Sequence, residues 1–242
     1  MFPRFCPWRR HAEQDITHAL TNFPHSVRAH QRPSPQAGKM KEDIMEELTH
    51  FLDSAKRCFN AFADGVSQEE LLKAANIIWE AESNGNRIHI TGIGKPGHVA
   101  GYVASLMSST GTPTYFLHGT EAVHGSCGQL VPGDVVICIS NSGETAEMKA
   151  TATAIRNNGC KVIAVTGKPE SWLATFAEAH LFAGVPEEGG PLNRAPRNSI
   201  LAETLVLQAL SVVLQARRGM TPQEYVLRHP GGSLGKLREN EK

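Results

Sequence analysis

Lys95 stands inside a glycine-rich turn, Gly92-Ile93-Gly94-Lys95-Pro96-Gly97, between a β-like run over 87–91 and a helical run from His98. Such a junction aims backbone N–H groups and a helix N-terminus at one point, which suits a phosphate. The lysine adds a mobile positive charge and a proton donor. A second junction follows, where the apolar run over 134–139 breaks into Ser140-Asn141-Ser142-Gly143-Glu144-Thr145 and then a helix to about Asn157. Hydroxyls and N–H groups there can surround phosphate oxygens without adding charge. Each loop alone has a plainer reading, the first as a tight turn and the second as an ordinary N-cap. Two of them, each after a parallel-type strand, point to a shared crevice at the carboxyl ends of the strands. A small phosphorylated ligand is the expectation.

Two nucleotide readings fail on the residues. The first turn spells G-x-G-x-x-G, but a dinucleotide site needs an acid closing the second strand. That strand, over about 113–117, ends at His118-Gly119, and the nearest acid, Glu121, lies past the corner. A P-loop needs Ser or Thr after its lysine, whereas Lys95 and Lys168 are each followed by proline.

The elements that must position these groups alternate. Strands are expected near 87–91, 113–117, 134–140, 161–166 and 179–184, with helices near 98–109, 145–157, 171–177 and 199–217. This pattern predicts an α/β fold, a single three-layer αβα domain with a five-stranded parallel sheet. Two helices precede it. One runs from Lys41 to about Ala63, with Ile44, Leu48, Phe51, Leu52, Ala55 and Phe59 near one face. The other opens on a capping box, Ser67-Gln68-Glu69-Glu70. Both exceed what five strands must cover, so they extend the core or pair with another subunit. The late stretch Ala195–Gln215, with Ile200, Leu201, Leu205, Val206, Leu210, Val213 and Leu214, reads as a central buried helix. Arg194 and Arg197 at its start could meet a phosphate or remain solvated.

Composition narrows the class. In 242 residues, Lys+Arg and Asp+Glu are both 24, so no global field favours nucleic acid or membrane. No run of about 18 apolar residues stands out as a membrane span. The five cysteines include no C-x-x-C pair, which suits buried thiols in a reducing cytoplasm. Residues 1–39 are basic, proline-bearing and without periodicity. They read as a flexible extension or an upstream start, with 40–242 as the compact domain.

From about Ile88 to Gly235 the chain resembles the sugar isomerase (SIS) domain. Within that superfamily it is similar to the arabinose 5-phosphate isomerases of the KpsF/GutQ type. The resemblance rests on 92–98, Ser109-Thr110-Gly111-Thr112-Pro113, Glu121-Ala122-Val123-His124-Gly125, 139–144, 165–171 and His229-Pro230-Gly231-Gly232-Ser233-Leu234-Gly235. It implies a catalytic set of Lys95, His124, Glu147, Glu188 and His229. It places Gly94, Ser140, Ser142 and Thr145, with Ser109 and Thr110, at the substrate phosphate. It further implies a homo-oligomer, dimer or tetramer, and no cofactor. Three departures stand out: Pro96 where serine is usual, Arg197-Asn198-Ser199 in place of small hydroxyl residues, and no paired cystathionine-synthase-type modules before Lys242.

Aldose–ketose isomerisation moves a proton between adjacent carbons through an enediol. It needs a base over C1 and C2, donors to the developing oxyanion and a fixed phosphate. Glu147 suits the base, Lys95 the oxyanion or phosphate, His124 the carbonyl oxygen, and His229 ring opening, with Glu188 as a second carboxylate. Each also has a structural reading: a helix-dipole partner for Glu147, exposed loop charge for Glu188, a capping or surface histidine for His124. His124 with Cys127 is half a metal set, and no metal is implied. The expected reaction joins D-arabinose 5-phosphate and D-ribulose 5-phosphate. An isomerase of another phosphosugar, such as a hexulose 6-phosphate, or a non-catalytic phosphosugar sensor are the alternatives.

Overall fold

Five short runs rich in β-branched residues form one parallel sheet: β1 Ile88–Gly92, β2 Thr114–Phe116, β3 Val135–Ile139, β4 Lys161–Thr166 and β5 Ala179–Phe182. The computed structural model describes residues 37–241, so the extension expected over 1–39 lies outside the described residues apart from its last three. The chain divides between Asp43 and Ile44 into two units, and the sheet lies in the second. Strand order is β2-β1-β3-β4-β5. Its register stacks Ile90, Ile137, Ile163 and Ala179 across four strands.

That register sorts the core by alternation. Ile88, Ile90, Val135, Ile137, Ile163 and Leu181 point to one face, while Val136, Cys138, Val162 and Ala164 point to the other. The first face is covered by α2 (Gln68–Ser83) and α3 (Lys95–Ser109), the second by α4 (Ala146–Asn157) and α5 (Trp172–Phe176). Both faces are buried, which is why β3 reads as an unbroken apolar run and why even His89 and Thr91 of β1 are enclosed.

Four expectations change. The sequence places Lys95, Pro96 and Gly97 in a loop, but they form the first turn of α3. Ser67 caps α2 by accepting from Glu70 N at 3.2 Å, but the box is half formed, because the Glu70 carboxylate accepts from Phe182 N of β5 instead. Helix α1 (Ala37–Asp64) buries Ser54, Cys58 and Phe62, leaving Ile44, Leu48, Leu52 and Phe59 of the expected apolar face exposed. Helix α6 (Asn198–Arg218) rests mainly on α2 and α3, with Leu201 and Val212 exposed, so its stripe is only partly buried. By length and composition α6 would also pass as a membrane span. Its inner face, Ala202, Val206, Leu207, Leu210 and Leu214, instead completes a core.

Candidate active site

The sheet order fixes where a ligand can enter. From β1 the chain crosses to β2 on one side and then returns to β3 on the other, so the loops after β1 and β3 diverge at a topological switch point. There Ile93 and Pro96 of the first loop face Ile139, Ser140, Asn141, Ser142, Thr145 and Met148 across a crevice of roughly 260 Å³. The two loops chosen from sequence therefore line one crevice.

Each glycine of the first loop has a steric reason. Gly94 is the N-cap of α3 with φ 67°, a conformation that side chains disfavour. A Cβ on Gly92 would stand 2.6 Å from the Pro96 carbonyl carbon, and one on Gly97 would stand 2.9 Å from the Gly92 oxygen. Strand and helix thus pack backbone to backbone. Pro96 falls where an N–H would have no helical partner, so it is tolerated, at the loss of one donor to the crevice.

The crevice is built for an anion by dipoles more than by charge. Neither Gly94 at α3 nor Thr145 at α4 makes a side-chain cap, which leaves the first N–H groups of both helices without that partner. Ser140 Oγ and Thr145 Oγ1 lie 3.4 Å apart, and Ser142 Oγ accepts from Glu144 N at 3.2 Å. Lys95 is the first residue of α3 and Glu147 the second of α4, both exposed. Glu144 holds the local structure together, pairing with Lys149 at 2.6 Å and accepting from Trp172 N. The Lys149 hydrogen bond, foremost, and that backbone bond hold its carboxyl below the usual range.

Other expected residues are placed differently. His124 ends a 3-10 turn, Glu121–His124, and is exposed ahead of Gly125. Glu188 Oε2 accepts from Arg197 N at 2.6 Å and Ser199 N at 3.2 Å, so it caps α6. Helix α6 runs in the same direction as α3: Gln208 bonds Tyr102, Ser211 bonds Thr110 and Arg218 bonds Thr112. The Glu188 cap thus stands at the same end of the molecule as Lys95.

Ser109 and Thr110 do not reach the crevice within one chain. They end a 15-residue helix that begins there, about 22 Å away by helix rise. Their hydroxyls bond the Leu106 carbonyl, and Thr110 also meets Ser211. His229 follows α7 (Pro222–Leu227), beyond the far end of α6, where it stacks on Tyr225 and its Nδ1 lies 2.8 Å from the Tyr225 oxygen.

The altered loop has an internal role. Asn198 is buried and donates to Ser54 Oγ and to the Glu187 carbonyl, tying α6 to α1. Arg197 carries its guanidinium over the Phe51 ring at 6.0 Å, while Arg194 is exposed. Sequence reasoning missed Glu203, which is fully buried on α6 with neither carboxylate oxygen hydrogen-bonded among the described residues. Its signal was a glutamate on the same helix face as Ser199, Val206 and Leu210.

The SIS domain model matches residues 83–213. The arabinose 5-phosphate isomerase KdsD of Escherichia coli (strain K12) is 37% identical over 202 residues, 82% of this chain and 60% of that protein. The KdsD of Pseudomonas aeruginosa is also 37% identical, over 198 residues, 79% of this chain and 60% of that one. The chain thus spans about 60% of the length of these curated relatives. A solved structure from E. coli CFT073, in complex with arabinose 5-phosphate, superposes with a TM-score of 0.69 at 34% identity, covering 78% of this chain and 98% of that one.

Proposed function

Because the chain belongs to the SIS domain family, we propose that it is an aldose–ketose isomerase interconverting D-arabinose 5-phosphate and D-ribulose 5-phosphate. The observation that carries the reading is the crevice, where two helix N-termini without side-chain caps meet the hydroxyls of Ser140, Ser142 and Thr145. On the first turns of those same two helices stand a lysine and a glutamate. The names of the relatives and the sugar phosphate bound in the solved neighbour support the choice of substrate.

In this reading the phosphate sits on the serine loop with Gly94, and the carbon chain lies along the first turn of α3. Glu147 takes the proton from one carbon of the C1–C2 pair and returns it to the other. Lys95 stabilises the enediolate oxygen, and His124 donates to the carbonyl. Glu188 serves as a second carboxylate, and His229 opens the sugar ring. The proton is carried by side chains, so the route calls on no cofactor or metal. Since α6 separates His229 from Lys95 within one chain, completing the set calls for a second copy. The exposed Ile44, Leu48, Leu52 and Phe59 face of α1 gives such a homo-oligomer a surface to bury. Four buried free thiols among the described residues suit a cytoplasmic setting.

Purified protein incubated with ribulose 5-phosphate in D2O and followed by proton NMR tests this directly. Arabinose 5-phosphate with deuterium at C2 is expected. Glu147→Gln should lose about 10²–10⁴-fold in turnover while keeping ligand-induced thermal stabilisation. Binding without product or exchange in the wild type, with pentose or hexulose phosphates, refutes the reading in favour of a sensor.

A further inference from the structure

Glu203 breaks the rule that buried carboxylates are paired. It is 0% exposed, and among the described residues neither oxygen has a hydrogen-bond partner. One helical turn earlier on the same face of α6, the Ser199 hydroxyl is also buried and unpartnered, as is the Asn198 amide oxygen next to it. Four unmatched oxygen atoms within six residues are a concentrated exception, since buried polar groups are nearly always satisfied. A leucine would fill the space with no such penalty. These atoms underlie the turn whose N–H groups hold the Glu188 carboxylate.

The electrostatics tie Glu203 to that carboxylate. Burial, and then the charge of Glu188, push the Glu203 carboxyl up to about 8. The elements packed on this part of α6 offer other ionisable groups: His50, Asp53 and Arg57 on α1, Lys95 and His98 on α3, Glu70 and Lys73 on α2, Glu187 and Arg197 in the preceding segment. None of these contributes to the shift. A buried carboxyl that faces a neighbouring carboxylate holds its proton more tightly. The same logic separates acid and base roles in carboxylate pairs generally.

We propose that Glu203 is a positioning residue of the isomerase site, a buried carboxyl beneath the first turn of α6 that lets the Glu188 carboxylate remain seated on the N–H groups of Arg197 and Ser199. It acts through Glu188 and touches no substrate. Once Glu203 ionises, the two carboxylates repel, Glu188 leaves its seat and turnover falls. The inference rests on the isomerase reading for its catalytic consequence, but the coupling of the two carboxyls stands without it.

Glu203→Gln, Glu203→Leu and Glu188→Gln test both parts. The folded-state value of Glu203 is raised, so its stabilising contribution is full below the unfolded carboxyl range and is lost as pH rises towards 8. The Tm of Glu203→Gln minus that of the wild type should therefore grow from about pH 4.5 to 8 and then level. In the Glu188→Gln background the levelling point should move to lower pH. A difference that is flat with pH, or a levelling point unmoved by Glu188→Gln, overturns the coupling whatever the enzyme does. In turnover, the wild type should lose kcat above about pH 8, a loss that Glu203→Gln abolishes while keeping neutral-pH kcat within about threefold. Glu203→Leu, likewise without charge at any pH, should also abolish the alkaline loss, with KM little changed. If the wild type turns over phosphosugars and Glu203→Gln keeps the alkaline loss, this inference fails and the isomerase reading survives. If no phosphosugar is turned over, the isomerase reading fails, and the positioning role fails with it.

Discussion

Gly92→Ala probes the feature on which the crevice depends, the close approach of β1 to the first turn of α3. The added Cβ would lie 2.6 Å from Pro96 C, 2.7 Å from Pro96 O and 2.8 Å from Gly97 N. Carbon atoms settle at about 3.5–4.0 Å, so the turn must retreat by about 1 Å. All three obstacles are backbone, and none can swing aside. Overpacking of this kind costs about 1–3 kcal/mol, and domains of about 150–250 residues lose roughly 2–4 °C in Tm per kcal/mol. The catalytic loss should be larger, because the retreat carries Lys95 and the uncapped N–H groups with it. A misplacement of about 1 Å lowers rates on the order of 10²-fold. Gly101→Ala in the middle of the same helix is the control. Nothing lies within 4 Å of its added Cβ, and helix propensity gives a gain of about 0.5–1 kcal/mol. Thermal denaturation and ribulose 5-phosphate turnover, run on both variants, should show Tm shifts of opposite sign and a turnover loss in Gly92→Ala alone. A Gly92→Ala protein with wild-type Tm and turnover would falsify the close-approach account.

Two further outcomes concern the opposite end of the sheet. Asp134 is wholly buried and accepts from Arg87 N at 2.9 Å and Val131 N at 3.0 Å, with His89 Nε2 at 3.2 Å. Asp134→Ala leaves two backbone donors unpaired at about 1–3 kcal/mol each, so a loss of about 3–5 kcal/mol is expected as a lower urea midpoint; an unchanged midpoint contradicts it. Burial, outweighing the charge of Asp134, holds the His89 imidazole below its usual range. The unfolded chain then takes up that proton first as pH falls, and stability drains away below about pH 6.5. His89→Phe should flatten the fall in urea midpoint between about pH 7 and 5, and parallel curves for the two proteins would sink the explanation.

The layered sheet was legible because each strand carries its burial in its own residues. Val135-Val136-Ile137-Cys138-Ile139 has no polar side, so it had to be covered on both faces, and one consequence is a parallel sheet with crossover helices. The junction after each such strand then falls on one edge, so the residues alone pair the glycine loop with the serine loop. Helix α1 was less legible. Its periodicity named an apolar face, but a partner outside the chain leaves the same pattern as a core inside it. Of the residues that face inward, Phe62 joins the core, while Ser54 and Cys58 are small or polar and serve the Asn198 contact and the Glu187 carbonyl.

Site residues were harder, for a reason of distance. Ser109 and Thr110 were sent to the phosphate by the resemblance of their motif and not by any property of the element that carries them. Only the 15-residue span of α3 shows that a chain leaving the crevice at Lys95 is at the other end by Ser109. Glu188 was ambiguous in the opposite sense. Its spacing from Ser199 is too long for a recognisable capping box, because the cap is reached through a loop that Asn193 braces by accepting from Glu188 N and Gly189 N. Glu203 left the weakest mark. A glutamate in a helix is ordinary, and only its phase, four residues from Ser199 and three before Val206, puts it inside. A glutamate in the buried phase of a helix is not explained by packing, since packing would prefer almost any apolar side chain. Its place beneath the Glu188 seat is the observation on which its proposed positioning role rests.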